Sequence, residues 1–203
     1  MQTEIELWEL AAPAFVRAVP ALLEVYRAAM APPGDQLTGR RAIMERHAGH
    51  PRFRSFTAVR TADGSAVGFA YGFHGQRGQW WHDVVSDALR LRDPDAERHW
   101  FTDSFEIAEV HVRPEWQGRG IGRRMLEALA AERPELTAVL STHSGPTRAR
   151  ALYHSCGFTD VLTDFRFPGS PDQPFTIMAA PLPLPAGGSR RSAGRSPGSR
   201  STG

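Results

Sequence analysis

The sequence predicts a mixed α/β (α+β) fold: one domain built on a central sheet of about six to seven strands with helices on its faces. Three observations lead there. The 203 residues, 41% hydrophobic and 23% charged, suit one domain with a well-buried core and are too few for two. Runs that alternate apolar and polar residues take turns with runs at helical spacing along most of the chain. A hairpin and a β-α-β unit are both legible; the first supplies antiparallel neighbours and the second a parallel pair, so the sheet must be mixed.

Taken in order, "TEIELWEL" alternates like a strand, and "APAFVRAVPALLEVYRAAM" sets Phe15, Val19, Leu22, Leu23 and Tyr26 at helical spacing. "APPGDQLTG" reads as a loop from its proline and glycine, and "GRRAIMERHAG" as a second helix with Thr38 as N-cap and Gly49 as C-cap. "SFTAVRTADGSAVGFAYGF" gives two strands around an Asp-Gly turn. Residues 80 to 92, "WWHDVVSDALRLR", predict a further helix. The last third is the most regular: strand "SFEIAEVHV", loop "RPEWQGRG", helix "IGRRMLEALAAE", strand "LTAVLST", helix "TRARALYHSCG", then strands "FTDVLTDFRF" and "PFTIMAAPL". From about Pro183 the chain is Pro, Gly, Ser and Arg without apolar periodicity, which buries too little surface to offset its ordering entropy. The expected division is therefore a folded domain over residues 1–182 and a disordered tail over 183–203.

Composition excludes several classes. The single cysteine, Cys156, allows no internal disulfide and no multi-cysteine metal site, so no metal is expected; packing is its expected role. No apolar run approaches a membrane span, and "MQTEIELWEL" carries glutamates where a signal peptide would be basic and then apolar. The expectation is a cytoplasmic protein with no membrane partner. The net charge of +2 includes four arginines of the tail, which has no acid; without them the remainder stands near −2. The folded part is not basic, and nucleic acid is not an expected partner; a basic tail acting on nucleic acid would show steep salt dependence lost on truncation.

The informative stretch is "PEWQGRGIG", residues 114–122, between a strand and a helix. A glycine loop at a helix N-terminus exposes backbone N–H groups at the positive end of the helix dipole, where a phosphate is stabilised. A Walker loop needs Gly-Lys-Ser/Thr, and the chain contains no lysine. The dinucleotide fingerprint counted from Gly118 needs glycine where Arg123 stands. What remains is Gln117-x-x-Gly120-x-Gly122 after Val110-x-Val112 and Pro114, which resembles the pyrophosphate-binding motif of the GNAT (Gcn5-related N-acetyltransferase) superfamily. About thirty residues on, "TRARALYHSCGF" is similar to that family's second signature, with Leu152, Tyr153, Gly157 and Phe158 in place and Thr147 where asparagine is frequent. The resemblance is clear over about residues 104 to 160 and implies a GNAT-like sheet splayed at the cofactor site.

The same resemblance implies acetyl-CoA as co-substrate, lying where the strand ending at Val112 parts from "LTAVLST". Its pantetheine would bond the backbone of Val110, His111 and Val112, and its pyrophosphate the N–H groups of Gly118, Arg119, Gly120, Ile121, Gly122 and Arg123. Gln117 and Thr147 stand beside the cofactor, and Arg119, Arg123 and Arg124 are candidate phosphate partners. Tyr153 matches the family's usual acid, the group that protonates the departing CoA thiolate. For the base that frees the amine, strict alternation sets Glu106, Ala108, Val110 and Val112 on one strand face and Ile107, Glu109 and His111 on the other, barring a bulge. Counting back from Gln117, Glu106 matches a glutamate base of some relatives; Glu109 is the alternative, and a water chain would serve in place of either. Trp80, Trp81, His82 and Asp83 lie in a long connection and are candidates for an acceptor pocket or, for the tryptophans, the buried face of a helix. The implied activity is acetyl transfer to a primary amine by direct attack in a ternary complex. The alternative is a non-catalytic acyl-CoA-binding or regulatory module. Homodimers are common in the family, and no interface is legible here.

Overall fold

In the computed structural model, which describes residues 4–32, 36–170 and 172–185, the chain runs β1 (Ile5–Glu9), α1 (Ala12–Met30), α2 (Gln36–His47), β2 (Arg54–Arg60), β3 (Ala66–Gly75), α3 (Trp80–Arg92) and α4 (Pro94–Phe101). It continues through β4 (Ser104–Val112), α5 (Ile121–Ala130), β5 (Thr137–His143), α6 (Arg148–Ser155), β6 (Thr159–Phe165) and β7 (Phe175–Pro181). The strands form one sheet in the order β1-β2-β3-β4-β5-β7-β6, in which β4 and β5 are parallel and the other pairs antiparallel. The predicted mixed sheet, flanked by helices, is the observed one. One helix was not expected: α4, whose start is set by Asp93, which accepts the N–H groups of Asp95 and Ala96, and by Pro94 in the first turn. Thr38 lies inside α2 rather than ahead of it, and its side chain is outside the described residues.

Two layers of helix cover the sheet. On one face α5 and α6 bury Met125, Leu126, Leu129, Tyr153 and Phe158 against Phe56, Ala58, Phe105, Ile107 and Met178. On the opposite face α1 and α2 close over Phe69, Tyr71 and Phe73 of β3, while α3 and α4 pack Val85, Leu89 and Phe101 on Val139, Leu162 and Ile177. Leu182 and Leu184, at the junction with the segment read as a tail, pack against the α5 face; residues 186–203 lie outside the described residues.

Two irregularities of β4 position the site. First, β4 pairs with β5 only from Ser104 to Glu106, opposite Thr137 to Val139, after which the two parallel strands part. Just ahead of β5, Glu135, with its side chain out of solvent, takes Arg133 at 2.7 Å and Arg52 at 3.4 Å, which ties the entry to β5 to the segment leading into β2. Second, Tyr71 of β3 faces Glu109 while the next residue, Gly72, faces Ile107, so Ala108 is an extra residue in β4 and forms a bulge. A β-carbon on Gly72 would stand 2.4 Å from the Glu106 carbonyl oxygen and 2.6 Å from Phe105 Cζ. Backbone cannot yield there, so Gly72→Ala is expected to cost about 1–3 kcal/mol by overpacking, read as a lowered Tm.

Candidate functional site

The bulge corrects the alternation expected of β4. Phe105 and Ile107 point into the α5 layer, and past Ala108 the same face is taken up by Val110 and Val112. Glu106 therefore shares its face with Glu109 and His111, not with Val110 and Val112, and both glutamates look toward α1, α2 and α3. Their surroundings differ. Glu109 is gripped by Arg40 Nη1 at 2.6 Å and by His111 Nε2. Burial opposes its ionisation, yet His111 and Arg40 outweigh burial and hold its carboxyl below the ordinary glutamate value. Glu106, 4% exposed, has Oε2 with no hydrogen-bond partner, and burial alone pushes its pKa up to about 8.

Around Glu109 the structure assembles groups that the sequence did not announce. Arg40 Nη2 also donates to Tyr26 Oη at 3.1 Å, and the Tyr26 ring meets His111 edge-on at 5.1 Å. Tyr71 Oη lies 3.2 Å from His47 Nδ1; burial, then His50, drops the His47 pKa to about 4. Arg40 and Glu109 are 69 residues apart, a separation at which no sequence pattern reports contact.

On the other face Tyr153 projects from α6, buried to 7% exposure and tilted on Phe158 at 5.9 Å. Burial, then the charge of Glu109, raises its phenol pKa.

The glycine loop opens onto the gap where β4 and β5 part. A 3₁₀ turn, Pro114–Trp116, leads to Gln117, whose Nε2 donates to the Val112 carbonyl at 3.0 Å. Gly118 and Gly120 both have φ of +77°, a conformation that disfavours any side chain, and the space a β-carbon would occupy is open. The first bond of α5 joins Arg124 N–H to the Gly120 carbonyl at 3.0 Å, so the N–H groups of Ile121, Gly122 and Arg123 have no intrahelical acceptor. Gly122 instead serves packing, since its β-carbon would stand 3.0 Å from Leu152 of α6. Open space, free donors and a helix N-terminus fit a pyrophosphate.

The other predicted residues divide. Thr147 caps α6, accepting Arg150 N–H at 3.1 Å. Arg119 lies over Trp116 at 4.5 Å and reaches Glu4 at 3.3 Å, Arg123 bonds Ser155 Oγ at 2.7 Å, and Arg124 bonds the Ile5 carbonyl at 3.3 Å, so all three are engaged by the protein. Trp80 is 58% exposed beside Phe167, and Trp81 donates from Nε1 to Ser141 on β5 at 3.2 Å, past the point where β4 has left. His82 is buried against Phe101, while the partly exposed Asp83 accepts Gly78 N–H on Oδ2 at 3.0 Å. Cys156 is buried, and burial pushes its thiol up, away from the reactive thiolate. Among the described residues no group of acidic, histidine and cysteine side chains could hold a metal, and no helix is long and apolar enough to cross a membrane.

Comparison with known proteins bears on this geometry. A GCN5-like protein acetyltransferase of Mycobacterium tuberculosis is 37% identical over 133 residues, which cover 63% of this chain and 64% of that protein's length. An acetyltransferase of Thermus thermophilus shares the fold with a TM-score of 0.55 at 17% identity, over 89% of this chain and 98% of the other. A chain of the NatC complex bound to Gag peptide and CoA does so with a TM-score of 0.61 at 15% identity, over 89% and 99%. The acetyltransferase (GNAT) domain family matches residues 54–160, which include the bulged strand, the glycine loop and Tyr153. On that match, and with this sheet, the chain belongs to the GNAT acetyltransferase family.

Proposed function

We propose that the protein transfers the acetyl group of acetyl-CoA to a primary amine by direct attack in a ternary complex. The observation that carries this reading is the gap between β4 and β5: a loop of free N–H groups opens at its mouth, Tyr153 stands on one side and two carboxylates on the other. When bound, acetyl-CoA supplies a thioester activated toward nucleophiles. The β4 backbone beyond Glu106 lies along the gap, within reach of amides of the pantetheine arm. Tyr153 holds a proton at its phenol oxygen for the sulfur. Glu106 takes the proton of the acceptor ammonium, because an ammonium has no lone pair to attack with. Glu109, locked by Arg40 and His111, keeps a fixed negative charge on the acceptor side that favours a cationic amine. The relative at 37% identity is named a protein acetyltransferase, which supports an amine carried on a protein as acceptor.

The test is calorimetric titration of the protein with acetyl-CoA beside Gly120→Glu and Gly120→Ala, then release of CoA in the presence of a lysine peptide. Both variants carry the strain of a side chain at φ +77°, but only glutamate puts charge in the cradle. The parent is expected to bind, Gly120→Glu to lose roughly a hundredfold or more in affinity, and Gly120→Ala to lose less. A folded parent that fails to bind acetyl-CoA defeats the proposal. Binding without CoA release for any amine in a broad library would make the chain an acyl-CoA-binding module instead.

A further inference from the structure

Beneath α3, on the face that holds the two glutamates, a row of polar groups runs from the floor of the sheet to its surface. Glu106 begins it, with its unpartnered Oε2. Ser104, two residues back on the same face of β4, is fully buried, and its Oγ is also without a hydrogen-bond partner. Ser104 Oγ and His82 Cδ2 lie 2.8 and 3.2 Å from one point, the place a β-carbon on Gly75 would occupy, so the serine and the imidazole border the same spot beside the end of β3. The opposite edge of the ring presents Nδ1, buried and unpartnered, to Asp83 Oδ1 at 3.5 Å. The Asp83 side chain is 35% exposed, and its other oxygen is fixed by Gly78 N–H, so the row ends in solvent beside Arg77.

Buried polar atoms without protein partners are satisfied in native proteins by ordered water, and here three adjacent residues and the inner oxygen of Asp83 all need it. Packing does not ask for these residue types; their neighbours Val85, Leu89 and Val139 on this side are apolar. What asks for them is proton balance, on the amine-acetylation reading above. As the C–N bond forms and the C–S bond breaks, the nitrogen of an ammonium gives up two protons. One ends on the sulfur of CoA by way of Tyr153, and the other must reach solvent. Glu106 receives a proton at a position sealed by the acceptor in front and by the sheet behind.

We propose that Ser104, His82 and Asp83, joined by ordered water, form the exit path for the proton that Glu106 takes from the acceptor, with His82 as the residue that passes it on. Imidazole suits this because it accepts at one nitrogen while releasing from the other. His82, 5% exposed, acts through Glu106 and is a positioning residue for proton transfer. The path leaves on the α3 side, away from the glycine loop, so proton export and cofactor exchange do not compete for one opening.

The test uses the full chain and the variants His82→Phe and Asp83→Asn. With a lysine peptide as acceptor, His82→Phe is expected to lose roughly tenfold in kcat with unchanged KM values, and its solvent deuterium isotope effect on kcat is expected to exceed the parent's. Asp83→Asn is expected to fall between the two. A kcat equal to the parent's, or a loss confined to KM, overturns the relay. Should His82→Phe not fold, His82→Gln, which keeps a polar group there but not the two-nitrogen switch, is expected to show the same loss. A second readout needs no turnover: the infrared carbonyl band of protonated Glu106, identified by its loss in Glu106→Gln, moves on transfer to D₂O. That shift is expected to slow in His82→Phe; equal exchange in variant and parent overturns the relay even if the peptide is not a substrate. A lack of peptide acetylation thus counts against the proposed function, and equal exchange against the relay alone.

Discussion

Replacing Tyr153 by phenylalanine is expected to lower kcat by about 10²-fold or more while leaving acetyl-CoA affinity unchanged. The ring stays in place, because it is buried in the core beneath α5 and packs on Phe158, and only the hydroxyl is lost. Burial, then the neighbouring charge of Glu109, keeps the phenol protonated at any working pH, so the proton is present when the thiolate departs. The measurement is initial-rate CoA release beside calorimetric binding of acetyl-CoA. If the variant turns over as the parent does, Tyr153 is a core aromatic and the leaving group finds its proton elsewhere.

Glu106→Gln is expected to act in two directions at once. Activity falls about 10²-fold or more, since the amide cannot take the proton of the acceptor. Stability at neutral and alkaline pH rises, and the sign follows from the two pKa values. Below the ordinary value of 4.5 the carboxyl is protonated in folded and unfolded chains alike, and its ionisation contributes nothing. Between 4.5 and about 8 the unfolded chain releases the proton and the folded chain retains it, so each unit of pH favours unfolding. Above about 8 both states are ionised and the penalty stays constant. At pH 7 the glutamate thus costs about 3 kcal/mol that glutamine does not, enough to raise the Tm of the variant by several degrees. Thermal unfolding at pH 5 and pH 8 checks this, with the gap between parent and variant small at the first and large at the second. An equal gap at both would mean that the folded protein does not hold the proton on Glu106. The parent's kcat is expected to rise as pH approaches 8 from below, when Glu106 becomes a base in its resting state.

Much of this was readable along the chain, for reasons that differ by residue. The glycine loop was legible because its chemistry is local: strand, open backbone and helix follow one another within a few residues of Gly120. Tyr153 was legible through the spacing of Leu152, Gly157 and Phe158 around it. The sharing of one face by Glu106 and Glu109 was not, because a bulge at Ala108 inserts one small residue and leaves no mark in composition or alternation. Nor was the grip of Arg40 on Glu109, which the pairing of β3 with β4 and the packing of α2 create together. The partners that the arginines of the glycine loop take within the protein were not legible either. Proximity in sequence to a phosphate cradle does not say which way a long side chain turns, and Arg119, Arg123 and Arg124 found Glu4, Ser155 and Ile5. Helix α4 was not legible because its eight residues bury only Phe101 and so carry almost no apolar periodicity, although its Asp-Pro start is a recognisable cap signal.

The extra residue in β4 changes how positions may be equated between this chain and others. A strand is a ruler with two alternating marks, and Ala108 shifts the marks by one for everything on its far side. Counted from Gln117, residues as far as Glu109 share one phase, while Glu106, Phe105 and Ser104 belong to the other. A homologous strand without the bulge would present to the acceptor the residue one place nearer the loop than Glu106 stands here. Only against a strand that carries the same extra residue does a count from the loop keep Glu106 on its own side of the sheet.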